Sequence, residues 1–447
     1  MGHWLTHRLL PGLIAVIFLL LPAWLRWMVT PPFLPELYVS RHVLLLPMIA
    51  VFGLWLALGI PGWRAFRASR WRVGWAIALL ALAGWMLLST FWAFMRTSHP
   101  EVGQTAALQF AIVALFALTT ACAGPRPRTL VAVLSAGLAV LTLLTVAQVV
   151  NGRSLGLSAI GEFAFGPGVT GSSLLHAGDL TFYRPYGLMA HPNMHAGWLM
   201  AGTLAALALC FDRRRFVQVA GALVTAAGFA ALLLTFSRAA WGGWVVGGLI
   251  GLLLLWPRLR RGEGVRALLL AAGLSALAAG LVLAAYAPFF AARAEASESV
   301  EMRSVADRIV FTDFALRAIR ENPLVGVGVG NFPWRSSYYL RDTFYDLRGD
   351  NVHNIYLLTA AELGLTGLSM LAVALFAGAG AGVRAVRIAP GQPDANRAAL
   401  LAIVAALLAV GLLDHYPATI FQTQALLWGC LAVAMGVRKD EIEPLRH

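Results

Sequence analysis

Twelve apolar segments follow one another along this chain, and their length restricts the folds that the sequence can adopt. A helix needs about 20 predominantly apolar residues to cross the hydrocarbon core of a bilayer. Hydrophobic residues make up 59% of the chain, far more than a soluble core requires. The segments cover residues 9–29, 38–60, 73–95, 105–123, 129–150, 192–211, 217–236, 239–256, 267–290, 353–383, 398–414 and 419–437. The pattern predicts an all-α, polytopic membrane protein of about 12 transmembrane helices, folded as a single bundle over residues 1–447.

Arginine clusters between these segments predict the orientation of the bundle. Lys and Arg in short loops mark the cytoplasmic side of a membrane protein. The clusters lie at 63–72, 125–128, 212–215, 257–266 and 384–397. This distribution places both termini in the cytoplasm, and it accounts for the net charge of +13 without a nucleic-acid partner.

Two long polar connections then fall on the external side, at residues 151–191 and 291–352. Within the second, residues 304–322 repeat apolar positions at a helical period, so we expect a helical periplasmic loop region between spans 9 and 10. Eight arginines occupy this region, at positions 293, 303, 308, 317, 320, 335, 341 and 348. Arginines at this density need acidic neighbours or an anionic ligand.

A polar pair, His353 and Asn354, opens the tenth apolar segment on the external side. The partial positive charge of a helix N-terminus favours a neutral imidazole, the form that acts as a general base. An interfacial histidine at a helix start is the structural alternative. Further along, Glu362 should face the bundle interior or a wet cavity, because a carboxylate in lipid is costly. Gly364 and Gly367, three positions apart, should share one helical face and allow close packing.

The spacing of this segment resembles a known signature. His353-Asn354, nine residues, Gly364, two residues and Gly367 are similar to the H-[NSQ]-x9-G-x-x-G pattern of bacterial O-antigen ligases. Leu368 stands where that family usually has Thr or Val. Three further stretches of this chain are similar to landmarks of that family: RPYGLMAHPN (184–193), FSR (236–238) and NPLVGVGVGNF (322–332). The chain thus resembles the ligase and polymerase superfamily that handles undecaprenyl-diphosphate-linked glycans.

The resemblance implies that Arg184, Arg238 and Arg308 bind the donor diphosphate. Guanidinium groups suit this task, because they stay charged and contact phosphate oxygens in pairs. His191 and Asn193, at the start of the sixth segment, could add helix N–H groups that receive an anion. Snorkelling arginines and a proline-initiated helix start are the structural alternatives.

Asp342, Asp346 and Asp350 lie four residues apart and could line one helical face as metal ligands. A solvated face that pairs with neighbouring arginines explains the same spacing. Arginines can neutralise a diphosphate without a divalent ion, so the sequence predicts a reaction with no metal and no cofactor.

The function that the resemblance implies is glycosyl transfer at the periplasmic face of a bacterial inner membrane. O-antigen would move from undecaprenyl diphosphate to a sugar hydroxyl of lipid A-core oligosaccharide, with His353 as general base and inversion at the anomeric carbon. Two relatives sharing the donor, an O-antigen polymerase and a protein O-oligosaccharyltransferase, are alternatives. A polysaccharide or lipid transporter is the alternative of another class, but its polar groups should line a path through the bilayer midplane.

Overall fold

A computed structural model describes residues 5–27, 41–94, 100–295, 299–341, 350–387 and 392–437. Asp342 and Asp346 lie outside these described residues. The helices in chain order are α1 (Leu10–Leu20), α2 (Leu45–Ala57), α3 (Trp63–Arg67), α4 (Arg70–Phe94), α5 (Pro100–Ala123), α6 (Pro127–Asn151), α7 (Pro192–Leu209), α8 (Arg215–Leu234), α9 (Arg238–Leu259), α10 (Val265–Ala285), α11 (Ala287–Glu295), α12 (Ser299–Glu321), α13 (Phe332–Leu340), α14 (Ile355–Val386), α15 (Ala395–Val410), α16 (Tyr416–Thr419) and α17 (Phe421–Met435).

Each of the twelve apolar segments contains one long or short apolar helix, which confirms the predicted polytopic helical class. Seven helices in the described part of the chain are long and apolar enough to cross a membrane: α4, α5, α6, α8, α9, α10 and α14. α1, α2, α15 and α17 are apolar but shorter, with 10–17 residues. The predicted number of about 12 spans therefore stays a prediction.

Three of the shorter helices, α7, α15 and α17, form the centre of the bundle, and nearly all of their residues are buried. Longer helices surround them: α9 packs against α15, α8 against α7 and α5 against α17. Gly243 and Gly247 bring α9 close to α15, since an added Cβ would lie 2.9 Å and 2.6 Å from the carbonyl oxygens of Ala406 and Ala402. Small residues one turn apart are how membrane helices approach closely.

Two short antiparallel strand pairs, the second of them a hairpin, accompany the helices of the predicted all-α fold. β1 (Arg26–Trp27) pairs with β2 (Arg41–His42), and β3 (Leu174–Ala177) pairs with β4 (Leu180–Tyr183), both antiparallel. The second hairpin packs on α11. It lies in the connection between α6 and α7, where the sequence analysis predicted only a polar loop.

The helical loop region between spans 9 and 10 is confirmed for its described residues. α12 contains the predicted helix and ends at Glu321, just before Pro323. α12 packs against both α13 and α14. The ninth apolar segment, predicted as one span over 267–290, is instead divided at Tyr286 between α10 and α11.

Candidate functional site

The start of α7, the start of α14 and the end of α15 meet, and the candidate site is built from the residues at these helix ends. Asn354 is the N-cap of α14: its Oδ1 accepts hydrogen bonds from the N–H groups of Tyr356 and Leu357, both at 3.0 Å. Its Nδ2 donates to the carbonyl of Leu412, 3.2 Å away, in the segment after α15. The cap therefore joins the start of α14 to the end of α15, with His353 immediately before it.

Asp414 lies in that segment after α15 and is buried. Its Oδ1 accepts the backbone N–H of His415 at 2.8 Å, and its Oδ2 accepts the side-chain amide of Asn193 at 3.0 Å. The sequence analysis placed Asp414 inside the apolar segment 398–414. The structure corrects this boundary, because α15 ends at Val410 and leaves the carboxylate in the connection.

His353 stands against this carboxylate. Its Nδ1 lies 3.7 Å from Asp414 Oδ1, and the ring of His415 is 5.3 Å away between centroids. Nδ1 is buried and has no hydrogen-bond partner among the described residues. The side chain as a whole is 27% exposed, so the other nitrogen, Nε2, is the one open to a ligand.

The same three side chains could also hold a cation. One ligand atom from each of His353, Asp414 and His415 lies within 4.8 Å of the others. However, both Asp414 oxygens already accept protein hydrogen bonds, and His415 Nδ1 is 2.8 Å from Thr419 Oγ1. Both carboxylate oxygens and one His415 nitrogen thus have protein partners, while His353 Nδ1 lies beside the carboxylate at a distance longer than a hydrogen bond.

Arg184 and Asn193 extend this network away from Asp414. The Arg184 side chain is buried, and its Nη2 donates to Asn193 Oδ1 at 2.7 Å. Its Nε donates to the carbonyl of Thr235 at 2.7 Å, and its Nη1 donates to Ser173 Oγ at 3.1 Å. A continuous chain of contacts therefore runs from Arg184 through Asn193 and Asp414 to His353.

His191 is the N-cap of α7, with Pro192 as the first helical residue. Its Nδ1 accepts the N–H of Asn193 at 3.1 Å, and its carbonyl accepts the N–H groups of Met194 and His195. The sequence analysis expected these N–H groups to be open to an anion. The structure instead pairs all three with His191 itself.

Charge in the site is concentrated on Asp414. Burial lowers the pKa of the His191 imidazole to about 3, helped by the nearby Arg184 guanidinium, so this ring is neutral as its acceptor role requires. Burial also lowers the pKa of His415, against the opposing charge of Asp414. Burial alone would raise the pKa of Asp414, but the neighbouring imidazoles of His353, His415 and His191 hold it below its ordinary value. Asp414 is therefore an ionised carboxylate near neutral pH.

Arg238 and Arg308 lie on two elements that border this network. Arg238 is exposed and is the first residue of α9. It lies three residues after Thr235, whose carbonyl accepts a hydrogen bond from Arg184. Arg308 is half-buried in α12, and its Nε is buried without a hydrogen-bond partner among the described residues. Phe311, one turn later, packs in the same apolar cluster as Val352, the residue before His353.

The glycines of the predicted signature shape α14 below the site. Gly364 has φ 68° and ψ −177°, which interrupts the helix, so the expectation that it shares a face of a continuous helix with Gly367 is wrong. The break frees carbonyl groups that the segment 326–328 then uses: Val327 N–H donates to Ala361 O at 2.9 Å and Gly328 N–H to Glu362 O at 2.8 Å. Trp85 Nε1 donates to Leu363 O at 2.9 Å.

Glu362 is buried beside this break, as the sequence predicted, and has a structural partner. Its Oε1 accepts the backbone N–H of Phe332, the first residue of α13, at 3.1 Å. A carboxylate at a helix N-terminus is a favourable electrostatic arrangement. Gly367 completes the break, because an added Cβ would lie 2.3 Å from the Cβ of Leu363. The signature residues therefore help to dock α12 and α13 onto α14.

A cavity of about 120 Å³ lies among α4, α5, α14 and α17. Its lining is mainly apolar, and it includes Leu371 and Leu375 of α14. Polar groups join this lining near the site, among them Asn351 and Thr419, the residue that contacts His415. The cavity therefore extends from the apolar interior of the bundle to polar residues beside the site.

Sequence reasoning missed Asp414 and His415 altogether. The signal was available in the stretch GLLDHYPAT (411–419), where an acidic and an imidazole side chain lie between two apolar runs. Ser173 and Thr235 were also missed. Nothing in their sequence context separates them from other hydroxyl residues at segment ends.

The fold and the site together define a multi-pass helical membrane protein with a buried polar network at one end of the bundle. A family model described as O-antigen ligase (Wzy_C) matches residues 222–372, from within α8 to within α14. This range includes Arg238, Arg308, His353 and both signature glycines, and the match confirms the predicted resemblance to the O-antigen ligase and polymerase superfamily. A search of curated proteins gave no match.

The helix break generates a stability prediction. Gly364→Ala should lower the thermal stability of the purified protein, because its backbone conformation is essentially restricted to glycine and costs other residues on the order of 1–3 kcal/mol. The added Cβ would also lie 2.2 Å from the carbonyl carbon of Leu324, so the true cost should be higher. Thermal unfolding in detergent measures the change.

The matched control is Gly280→Ala in α10, where an added Cβ meets nothing within 4 Å. It should leave the unfolding temperature unchanged or slightly higher, since Ala is the better helix former. Equal unfolding temperatures for the two variants would contradict the break as a structural requirement.

Proposed function

We propose that this protein is an O-antigen ligase, a glycosyltransferase that moves O-antigen from undecaprenyl diphosphate to a sugar hydroxyl of lipid A-core oligosaccharide. The observation that carries the proposal is the approach of His353 Nδ1 to Asp414 Oδ1, 3.7 Å, at the residue that opens the family signature. The family match over residues 222–372 supports the same reaction class. The site is assigned to the periplasmic face of the inner membrane, from the arginine distribution of the short loops.

In the proposed reaction His353 is the general base. Asp414, ionised and hydrogen-bonded, orients the imidazole with Nδ1–H towards itself and stabilises the imidazolium that forms. Nε2 then accepts the proton of the acceptor hydroxyl as the oxygen attacks the anomeric carbon. A small rotation shortens the 3.7 Å separation to a hydrogen bond, and such catalytic contacts are often long before substrate binds.

Arg238 and Arg308 are proposed to hold the departing diphosphate. Both are arginines that border the His353 network, and Arg308 carries a buried Nε without a partner among the described residues. Fixed guanidinium groups stabilise the negative charge that grows on the leaving group. Direct contact of Arg184, His191 and Asn193 with the diphosphate stays a prediction. The proposed reaction needs no metal and no cofactor.

The ligase is distinguished from its closest alternatives by lipopolysaccharide analysis of a strain that lacks the protein. Loss of long chains from lipid A-core, while lipid-linked polymer accumulates, is the expected result. Core that carries a single repeat unit would identify an O-antigen polymerase instead. Unchanged lipopolysaccharide would contradict both and favour a protein oligosaccharyltransferase or a transporter.

A second prediction concerns the proposed base pair in purified enzyme with donor and acceptor. His353→Gln should lower the transfer rate about 10²–10⁴-fold, the usual cost of removing a general base. Asp414→Asn should also lose most activity, because a neutral amide neither fixes the tautomer nor stabilises the imidazolium. The double variant should be no slower than His353→Gln alone, since Asp414 acts through His353.

Chelator supplies the control for this experiment, and wild-type transfer should be unchanged in its presence. If His353→Gln turns over within about threefold of wild type, the base lies elsewhere. If chelator alone abolishes transfer, His353, Asp414 and His415 are metal ligands and the proposed mechanism fails.

A further inference from the structure

Arg184 is a surprising residue for a ligand contact, because its hydrogen-bonding groups are already directed at protein. Arg184 follows β4, and three of its nitrogens donate to three other segments. Nε donates to Thr235, just after α8, Nη1 to Ser173, just before β3, and Nη2 to Asn193 in the first turn of α7. The side chain is only 5% exposed. Three of the five N–H groups of the guanidinium already donate to protein, and a diphosphate could reach the others only by entering this buried site.

The contact to Asn193 determines which way the side-chain amide faces. An amide has one donating and one accepting end, and the two can exchange by rotation. Because Arg184 Nη2 occupies Asn193 Oδ1, the amide must present Nδ2 to Asp414, 3.0 Å away. Without the guanidinium, the amide could turn its oxygen towards the carboxylate and repel it.

The contact to Asp414 in turn sets the plane of the carboxylate. Asn193 Nδ2 donates to Asp414 Oδ2, and the backbone N–H of His415 donates to Asp414 Oδ1 at 2.8 Å. With both oxygens restrained, the carboxylate cannot rotate freely, and Oδ1 stays beside His353 Nδ1. A displacement of about 1 Å at such a group can cost up to about 100-fold in rate.

We infer that Asn193 and Arg184 are positioning residues of this site: Arg184 orients the Asn193 amide, and Asn193 orients Asp414 for His353. The inference rests on the proposed function, because it presumes that His353 takes a proton. It gives Arg184 and Asn193 a role different from that of Arg238 and Arg308, which contact the leaving diphosphate.

The experiment compares Asn193→Leu, nearly equal in size but unable to donate or accept, with Arg238→Lys. Each variant is measured for turnover and for binding of undecaprenyl diphosphate that carries no glycan. Asn193→Leu should lower kcat about 10–100-fold and leave binding within about threefold. Arg238→Lys should weaken binding at least about tenfold, because an ammonium cannot make the paired phosphate contact.

The route through Asp414 is tested in the Asp414→Asn background. There Asn193→Leu should change kcat by less than about threefold, since the carboxylate it orients is gone. If it keeps its full effect there, Asn193 does not act through Asp414. If in the native background it weakens undecaprenyl diphosphate binding as strongly as Arg238→Lys, Asn193 is a donor ligand and the inference fails.

Asn193→Ser covers the case in which Asn193→Leu does not fold, because serine is polar but too short to bridge Arg184 and Asp414. It should give the same loss of kcat with unchanged binding. Wild-type protein that neither binds undecaprenyl diphosphate nor transfers glycan would instead refute the proposed function itself. The two failures are therefore distinguishable.

Discussion

A buried carboxylate at the junction of three helix ends is the interaction on which the rest of the site depends. Asp414 can stay ionised away from water only because Asn193 and the His415 backbone donate to it and an imidazole lies beside it. A buried charge without such partners would cost several kcal/mol. The short central helices α7 and α15 bring these partners together, because Asn193 lies in the first turn of α7 and Asp414 lies in the connection that follows α15.

The interrupted helix α14 has the complementary role of fixing α12 and α13. A continuous α14 would satisfy its own carbonyl groups and offer none to a neighbour. The break at Gly364 instead lets the segment 326–328 hydrogen-bond to α14, and Glu362 accepts the first N–H of α13. Irregular backbone of this kind is tolerated at membrane depth only where other protein segments satisfy it. α12, which carries Arg308, is thereby held against the same helix that His353 precedes.

The sequence predicted the class of fold and part of the site for physical reasons that can be named. Long apolar runs are local signals, so α4 to α10 and the helix start beside His353 and Asn354 followed from pattern alone. Asp414 was not, because a single acidic residue at the edge of an apolar run looks like the run's boundary. Its partner Asn193 is 221 positions away. Gly364 was recognised, but helical periodicity could not reveal that its role is to break the helix.

The central claim is that His353 activates a hydroxyl for one direct displacement of undecaprenyl diphosphate, with no covalent intermediate on the protein. The most direct test is the anomeric configuration of the new glycosidic bond, determined by NMR on the product of transfer by purified protein. A single displacement predicts a configuration opposite to that of the sugar in the lipid-linked donor. A product that retains the donor configuration would require a second displacement through a covalent intermediate, and would contradict the single direct displacement.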